Sequence, residues 1–192
     1  MMRIITGRAK GIRLETLEGN NTRPTSERAK EAVFSMIRFD LEGRDVLDLY
    51  AGSGQMGLEA LSRGAQKATF IDLSREAMEI VKQNCKTTGF FDVSHFLVSD
   101  WKNYIRKASG REQFDLVFVD PPYAMECCAE AANYLAEKEL IIPGAIVVLE
   151  SGEEEISMDD PRLSGYRAIK STHYGKKTFV NILFYEGREV SE

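Results

Sequence analysis

The sequence predicts an α/β fold with a mostly parallel, seven-stranded sheet that ends in an antiparallel hairpin. From Asp45 onward, short and nearly continuous apolar segments alternate with segments of helical periodicity. This alternation is typical of parallel strands that are covered by helices on both faces. A glycine-rich turn follows the first of these strands. The last two apolar segments are too close together for a helical crossover, so we expect them to pair antiparallel.

The predicted elements follow one another along the chain. A small hairpin over residues 3–6 and 12–15 precedes a helix that begins after the N-cap residue Ser26 and ends near Phe39. The expected strands of the sheet are residues 45–50, 67–72, 95–99, 114–119, 145–150, 166–171 and 178–185. The expected helices between them are residues 56–63, 75–88, 101–108 and 125–139.

The composition is that of a globular protein, because 43% of the 192 residues are hydrophobic and 29% are charged. We expect one compact unit, made of an N-terminal extension over residues 1–40 and a sheet domain over residues 41–192. The net charge of -5 argues against a protein that is held on nucleic acid by bulk charge. However, residues 1–30 carry seven basic and three acidic residues, and residues 161–185 carry five basic residues and no acidic one. Two basic segments therefore flank an acidic middle.

The cysteines predict a reducing compartment. Cys85, Cys127 and Cys128 are odd in number and form no C-x-x-C pair, which fits neither a disulfide framework nor a zinc site. With two histidines in the chain, we expect no metal site. No apolar run approaches the roughly 18 residues of a membrane span, and no signal peptide is visible. We therefore expect a cytoplasmic protein, with a monomer as the default state for a chain of this size.

The glycine-rich turn predicts a site for a nucleoside-containing ligand. Gly52, Gly54 and Gly57 fit the pattern G-x-G-x-x-G between a strand and a helix. Asp72 ends the second strand, 20 residues after Gly52, where a carboxylate can accept from ribose hydroxyl groups. A nicotinamide dinucleotide and S-adenosylmethionine both fit this pattern, and a tight turn without a ligand is the alternative. Asp48 favours S-adenosylmethionine, because a carboxylate attracts its ammonium and sulfonium groups and repels a pyrophosphate.

A second motif, Asp120-Pro121-Pro122-Tyr123, follows the fourth strand directly. The prolines remove two N–H donors, so the Asp120 carboxylate and the Pro121 carbonyl form a rigid pair of acceptors. Such a pair suits an exocyclic amine, and Tyr123 offers a flat face to a flipped-out base. Ligands of open parallel sheets bind at the carboxyl ends of the strands, so we expect Asp120 beside the glycine loop. A helix start with Asp as its cap is the alternative.

Asp100 and Trp101 follow the third strand. The Asp100 carboxylate could accept from an adenine amino group, with the Trp101 ring as an apolar wall. The alternative is again a helix N-cap.

These motifs together resemble the bacterial 16S rRNA guanine-N2 methyltransferases of the RsmD type. The resemblance runs nearly from end to end, and the matching segments are 3–7, 10–11, 23–25, 28, 31–34, 48–54, 57–65, 120–123 and 174–176. One departure is visible, because Asp72 is followed by Leu73 and Ser74 where many relatives carry a glutamate and another acid.

The resemblance implies a class I S-adenosylmethionine-dependent methyltransferase fold, which is Rossmann-like. It implies a donor site formed by Asp48, Ala51, Gly52, Ser53, Gly54, Asp72, Leu73, Asp100 and Trp101. It implies a catalytic set of Asp120, Pro121, Pro122 and Tyr123, in which Asp120 and Pro121 would grip the guanine N2 amine. The residues expected to contact RNA are Arg3, Arg8, Lys10, Arg13, Arg23, Thr25, Arg28 and Lys176, although a solvated surface is the usual role of scattered charges.

The implied partner is 16S rRNA, either free or in an assembling small ribosomal subunit. Three other functions use some of the same features. A DNA or RNA adenine-N6 methyltransferase shares the second motif, but DNA enzymes usually carry a separate target-recognition domain. An NAD-dependent oxidoreductase leaves residues 120–123 unexplained, and a non-catalytic RNA-binding module needs neither motif. Because residues 120–123 contain no cysteine, we expect direct transfer without a covalent enzyme intermediate.

Overall fold

A computed structural model describes residues 2–17, 27–37, 41–122, 127–152, 156–174 and 178–188. The chain divides into two compact units, Met1–Asp100 and Trp101–Glu192. In the part of the chain that the structure describes, we find no helix with the length and apolar character needed to cross a membrane.

The described residues of the first unit form three α-helices and three strands. They are α1 (Glu27–Met36), β1 (Asp45–Asp48), α2 (Gln55–Ser62), β2 (Lys67–Asp72), α3 (Arg75–Thr88) and β3 (Ser94–Val98). The strands lie in the order β3-β2-β1, and both pairs are parallel. β1 ends two residues earlier than expected, at Asp48 rather than Tyr50. The chain leaves the extended conformation there because it must reach Gly52, whose φ of +55° lies in the left-handed region.

In the second unit, the residues that the structure describes form two α-helices and four strands. They are α4 (Trp101–Ala108), β4 (Phe114–Val119), α5 (Cys128–Glu137), β5 (Ile141–Ser151), β6 (Tyr166–Tyr174) and β7 (Thr178–Tyr185). The strands lie in the order β4-β5-β7-β6. β4 and β5 are parallel, whereas β7 is antiparallel to both β5 and β6. The expected α/β class and its C-terminal antiparallel hairpin are therefore confirmed.

β5 begins four residues before its predicted start of 145, at Ile141. Its pairing with β4 passes from Phe114↔Ile141 to Leu116↔Ile146, so the extra residues of β5 bulge out between these pairs. Pro143 lies in this bulge and has no N–H to donate to a ladder. The sequence suggested that the strand starts after this proline, but the bulge lets the strand pass it.

The predicted N-terminal hairpin over residues 3–6 and 12–15 forms around an antiparallel bridge between Arg3 and Arg13. The N–H groups of Ile4 and Leu14 donate to the carbonyl oxygens of Ile12 and Met2 at 2.9 and 3.0 Å, and the Gly11 N–H donates to the Ile4 carbonyl oxygen at 2.9 Å. The backbone N–H groups of Ile5 and Thr6 donate to Glu59 of α2 and not to a partner strand. The hairpin is therefore confirmed, but its regular pairing is shorter than the two predicted strands.

Glu59 is buried and ties the N-terminal segment, residues 2–17, to α1 and α2. Its Oε2 accepts from the Ile5 N–H at 2.8 Å, and its Oε1 accepts from the Thr6 N–H at 3.0 Å. Arg63 Nε donates to Oε1 at 2.8 Å, and the ammonium of Lys30 lies 3.6 Å from Oε2. A buried carboxylate is costly unless charged and hydrogen-bonding partners surround it, and these four groups supply them.

Gly7 lets the N-terminal segment approach α2 closely. Its φ is +86°, and a Cβ added there would lie 1.8 Å from the carbonyl oxygen of Ser62. Gly11 has a similar φ of +84°, but a Cβ there would meet nothing within 4 Å. Substitutions at Gly7 and Gly11 would share the same backbone strain, but only a substitution at Gly7 would also disturb close packing.

We expect Gly7→Ala to lower the free energy of unfolding more than Gly11→Ala does. Left-handed backbone alone costs an alanine on the order of 1–2 kcal/mol, which both variants incur. Only Gly7→Ala must also push the N-terminal segment off α2. Urea unfolding of both variants measures the difference, and equal destabilisation would contradict the close approach.

Candidate functional site

Three acidic residues lie at one edge of the first unit, where the parallel strands β1, β2 and β3 end. Asp48 and Asp72 are the last residues of β1 and β2, and Asp100 lies two residues beyond the end of β3. The Ser99 N–H donates to the Asp72 carbonyl oxygen at 3.0 Å, which extends the pairing of β2 and β3 to this edge. The structure thus places the three acidic residues that the sequence assigned to a donor site at the same edge of the first unit.

The loop between β1 and α2 turns through two left-handed glycines, Gly52 and Gly54, with φ values of +55° and +78°. Residues with a Cβ rarely adopt this conformation. The Gly54 N–H donates to the Ala51 carbonyl oxygen at 2.6 Å, which closes a tight turn. The Gly52 N–H donates to Oδ2 of Asp72 at 2.9 Å. The glycine loop, residues 51–54, is therefore tied to the end of β2.

Asp72 keeps hydrogen-bonding capacity for a ligand. Its Oδ1 accepts from the Ser74 N–H at 2.8 Å, and its Oδ2 accepts from the Gly52 N–H. Each carboxylate oxygen has a second lone pair, so a half-buried Asp72 can also accept from hydroxyl groups. The neighbouring Leu73 is 74% exposed and offers apolar surface beside these acceptors.

Gly57, the third glycine of the motif, serves packing. A Cβ at this position would lie 2.4 Å from Cε1 of Phe70 on β2. The absence of a side chain lets the buried helix α2 lie directly against the sheet. This is the role that the third glycine has in dinucleotide-binding folds.

Asp48 is a buried carboxylate, with 2% of its surface exposed. Burial raises its pKa to about 7, and the negative charge of Asp72 adds to the rise. The N–H groups of Gly57 and Tyr50 partly offset this, the first of them by donating to Oδ2 at 3.1 Å. A cation bound at this edge would favour the ionised form, so the site is suited to a positively charged ligand.

The second motif lies in the second unit, directly after β4. Asp120 is half-buried, Pro121 is buried and Pro122 is exposed, while Tyr123 lies outside the described residues. Because neither proline has an N–H, the backbone here presents acceptors only. The motif can therefore accept hydrogen bonds from an amine.

Trp101 is the first residue of α4 and is 6% exposed. Its ring packs edge-on against Tyr134 of α5, with the ring centres 6.2 Å apart. The sequence assigned the Trp101 ring to an apolar wall beside the adenine. In the structure, much of this ring contributes to the packing of α4 against α5.

The three cysteines are buried. Burial raises the pKa of the Cys85 thiol to about 11 and also raises that of Cys128. Cys128 begins α5, and its Sγ donates to the Glu150 carbonyl oxygen at 3.3 Å. Since the thiolate is the nucleophilic form, these two residues act as packing groups.

The residues expected to contact RNA fall into two groups. Exposed on the first unit are Arg3, Arg8, Lys10 and Arg13. Outside the described residues lie Arg23, Thr25, Lys176 and the side chain of Arg28. Arg8 also has structural contacts, since its Nη2 donates to the Leu61 carbonyl oxygen at 3.4 Å and its guanidinium lies 5.3 Å from the ring centre of Phe90. Arg8 is therefore partly committed to the fold.

Sequence reasoning missed Asn84, a fully buried residue of α3 that contacts the glycine loop. Its Nδ2 donates to the Ser53 carbonyl oxygen at 2.9 Å and to the Glu15 carbonyl oxygen at 3.0 Å. Its Oδ1 accepts from the Glu15 N–H at 2.8 Å. The available signal was a polar residue on the apolar face that Val81 and Cys85 mark in α3.

Comparison with known proteins finds one family profile and several proteins that are similar in sequence to this chain. The profile of a family described as conserved hypothetical protein 95 matches residues 2–183. Ribosomal RNA small subunit methyltransferase D of Haemophilus influenzae is 30% identical over 80% of this chain and 80% of that protein. The protein of the same name from Escherichia coli is 31% identical over 80% of this chain and 76% of that protein.

Solved structures show the same architecture. The candidate methyltransferase yhhF from Escherichia coli has a TM-score of 0.83 and 26% identity, over 97% of this chain and 99% of that chain. A hypothetical protein from Thermus thermophilus has a TM-score of 0.77 and 27% identity, over 95% of this chain and 98% of that chain.

We expect Asp48→Asn to stabilise the protein increasingly as the pH rises from 4 to 7. The folded pKa of about 7 lies above the ordinary value of 3.8, so the native state disfavours the ionised form in this range. The free energy of unfolding of the parent, minus that of Asp48→Asn, should fall by roughly 4 kcal/mol between pH 4 and pH 7 and then level off. Urea unfolding as a function of pH measures this difference. A constant difference between pH 4 and pH 8 would contradict the raised pKa.

Proposed function

The chain belongs to the family described as conserved hypothetical protein 95, of the RsmD type, and has the class I S-adenosylmethionine-dependent methyltransferase fold. From this premise we propose that it methylates ribosomal RNA with S-adenosylmethionine as the methyl donor. We further propose that the acceptor is the exocyclic N2 of a guanine in 16S rRNA. The names of the relatives support a small-subunit substrate, and the chemistry of the second motif supports an amine acceptor.

The choice of S-adenosylmethionine as the cofactor rests on Asp48. A buried carboxylate with a pKa raised to about 7 is stabilised by a nearby cation and destabilised by a phosphate. S-adenosylmethionine supplies a methyl group on a sulfonium and carries an ammonium group beside its carboxylate. We assign its methionine part to Asp48 and the glycine loop, its ribose to Asp72 and Leu73, and its adenine to Asp100.

The second motif supports transfer to an amine without a covalent enzyme intermediate. The Asp120 carboxylate and the Pro121 carbonyl would each accept one N–H of the guanine amine, which aims the nitrogen lone pair away from them. That lone pair forms the new nitrogen–carbon bond while the sulfur keeps the electrons of the broken carbon–sulfur bond. Asp120 would then accept the proton that the methylated nitrogen loses. The buried thiols would take no part.

The monomeric state, the cytoplasmic location and the boundary near residue 40 stay predictions. So does the catalytic role of Tyr123, which lies outside the described residues.

Methylation of 16S rRNA that lacks its native modification tests the proposed acceptor. The RNA, purified from a strain without this enzyme, is incubated with the protein and labelled S-adenosylmethionine. Mass mapping of the nucleosides should find N2-methylguanosine at a single site. N6-methyladenosine as the product would support the adenine methyltransferase alternative, and no RNA product would overturn the proposal.

In the same assay, we expect Asp120→Ala to lower kcat by about 10²-fold or more, as the loss of a general base does. Calorimetry should find the affinity for S-adenosylmethionine unchanged, since Asp120 is assigned to the amine alone. Asp159→Ala, which removes an exposed acid elsewhere in the second unit, serves as the control. Activity of Asp120→Ala within twofold of the parent would refute its role.

We expect Lys10→Glu with Arg13→Glu to weaken RNA binding without changing donor affinity. Each phosphate contact that is lost should make the plot of log affinity against log salt less steep, reducing the magnitude of its slope by about one. Arg8 is left unchanged because it also contacts the fold. Arg106→Glu with Lys107→Glu changes the net charge equally on the exposed surface of α4 and serves as the matched control. Equal effects of the two pairs in filter-binding titrations would exclude a specific N-terminal surface.

A further inference from the structure

We infer that Asn84 is a positioning residue that holds one peptide of the glycine loop in its binding conformation, and that the N-terminal segment in turn holds Asn84. The inference rests on the proposed function, because its effect is on the binding of S-adenosylmethionine. It gives the N-terminal segment a role in the donor site in addition to the proposed contact with RNA.

Asn84 uses both of its amide hydrogens and its carbonyl oxygen. Nδ2 donates to the carbonyl oxygens of Ser53 and Glu15, and Oδ1 accepts from the Glu15 N–H, all within 3.0 Å. These partners fix the orientation of the amide, since a flipped amide would set donor against donor and acceptor against acceptor. Asn84 is 0% exposed, so water does not offer replacement partners.

The peptide between Ser53 and Gly54 is held at both ends. Its carbonyl oxygen accepts from Asn84, and its N–H donates to the Ala51 carbonyl oxygen at 2.6 Å. Because the peptide unit is planar and trans, these two bonds together define the direction of the whole group. Loss of the bond from Asn84 leaves only one of them.

Glycine makes this restraint necessary. Gly54 has a φ of +78° and no Cβ to restrict rotation next to this peptide. The other left-handed glycine, Gly52, is restrained by Asp72. Asn84 thus supplies to the second half of the glycine loop what Asp72 supplies to the first half. A loop that is held in its bound conformation avoids an ordering cost when the ligand binds.

The N-terminal segment is connected to the glycine loop in two ways, one through Asn84 and one by a direct hydrogen bond. Glu15 orients Asn84 through two hydrogen bonds, and the hydroxyl of Ser53 donates to the sulfur of Met2 at 3.0 Å. The segment has a separate attachment at Ser62 of α2, whose Oγ accepts from the Ala9 N–H at 3.0 Å and donates to the Thr6 carbonyl oxygen at 2.6 Å. The two attachments can therefore be weakened independently.

Asn84→Ala and Ser62→Ala form a matched pair of variants. Both remove a buried polar group that anchors the N-terminal segment, but only Asn84 contacts the glycine loop. We expect both variants to lower the unfolding temperature. Only Asn84→Ala should raise the Kd for S-adenosylmethionine, by roughly tenfold, as expected for one hydrogen bond. At saturating donor its kcat should change little, because the substitution acts on donor binding.

A second variant, Glu15→Pro, tests the link to the N-terminal segment. Proline removes the N–H that orients Oδ1 of Asn84 and leaves Asn84 itself in place. We expect a smaller rise of the donor Kd, in the same direction. This variant also carries the test if Asn84→Ala does not fold.

Calorimetric titration of the full chain with S-adenosylmethionine decides between the outcomes. A donor Kd within twofold of the parent value in the folded Asn84→Ala and Glu15→Pro variants would overturn the inference. An equal rise in Ser62→Ala would also overturn it, because general loosening of the segment would then explain the effect. Failure of the parent protein to bind the donor would instead refute the proposed function.

Discussion

The buried carboxylate of Glu59 is the interaction on which the arrangement of the first unit depends. An ionised group in the interior is tolerated only when charged and hydrogen-bonding partners surround it. α2 alone cannot supply them, so the N-terminal segment contributes the N–H groups of Ile5 and Thr6, and α1 contributes Lys30. The same helix begins directly after the glycine loop. The N-terminal segment and the donor site are thus parts of one packed structure.

The proposed donor site combines a permissive backbone with external restraints. Two left-handed glycines allow the tight turn after β1, but they also leave the loop free to adopt other conformations. Asp72 and Asn84 restrict that freedom at two points of the loop, through Gly52 and Ser53. Neither restraint belongs to the glycine motif itself. The motif therefore permits the turn, and residues of β2 and α3 select its conformation.

The proposed donor site concentrates negative charge in a unit that is neutral as a whole, since residues 1–100 carry 14 basic and 14 acidic residues. Parallel strands end together, and the residues at their ends are acidic, so negative charge accumulates at one edge of the first unit. Burial makes this accumulation costly at Asp48, whose pKa is raised to about 7. A cationic donor would relieve that cost. In the proposed function, the net charge of -5 is compatible with RNA as a substrate, because the N-terminal basic residues meet the phosphates. The acidic excess lies elsewhere, in residues 101–192, which carry 16 acidic and 11 basic residues.

Local sequence by itself determined most of the elements. β2, α3, α4, β4 and β7 have the predicted bounds, because periodicity and caps such as Ser74 of α3 act over a few residues. The same holds for the strand-end acids, which follow directly from the motifs. The tertiary structure alone decided that Glu59 accepts from the N–H groups of Ile5 and Thr6 and that Asn84 contacts the glycine loop. It also decided the raised pKa of Asp48. The physical reason is separation along the chain, since the bonds from Ile5 to Glu59 and from Glu15 to Asn84 span 54 and 69 residues, and burial depends on everything that packs around a side chain.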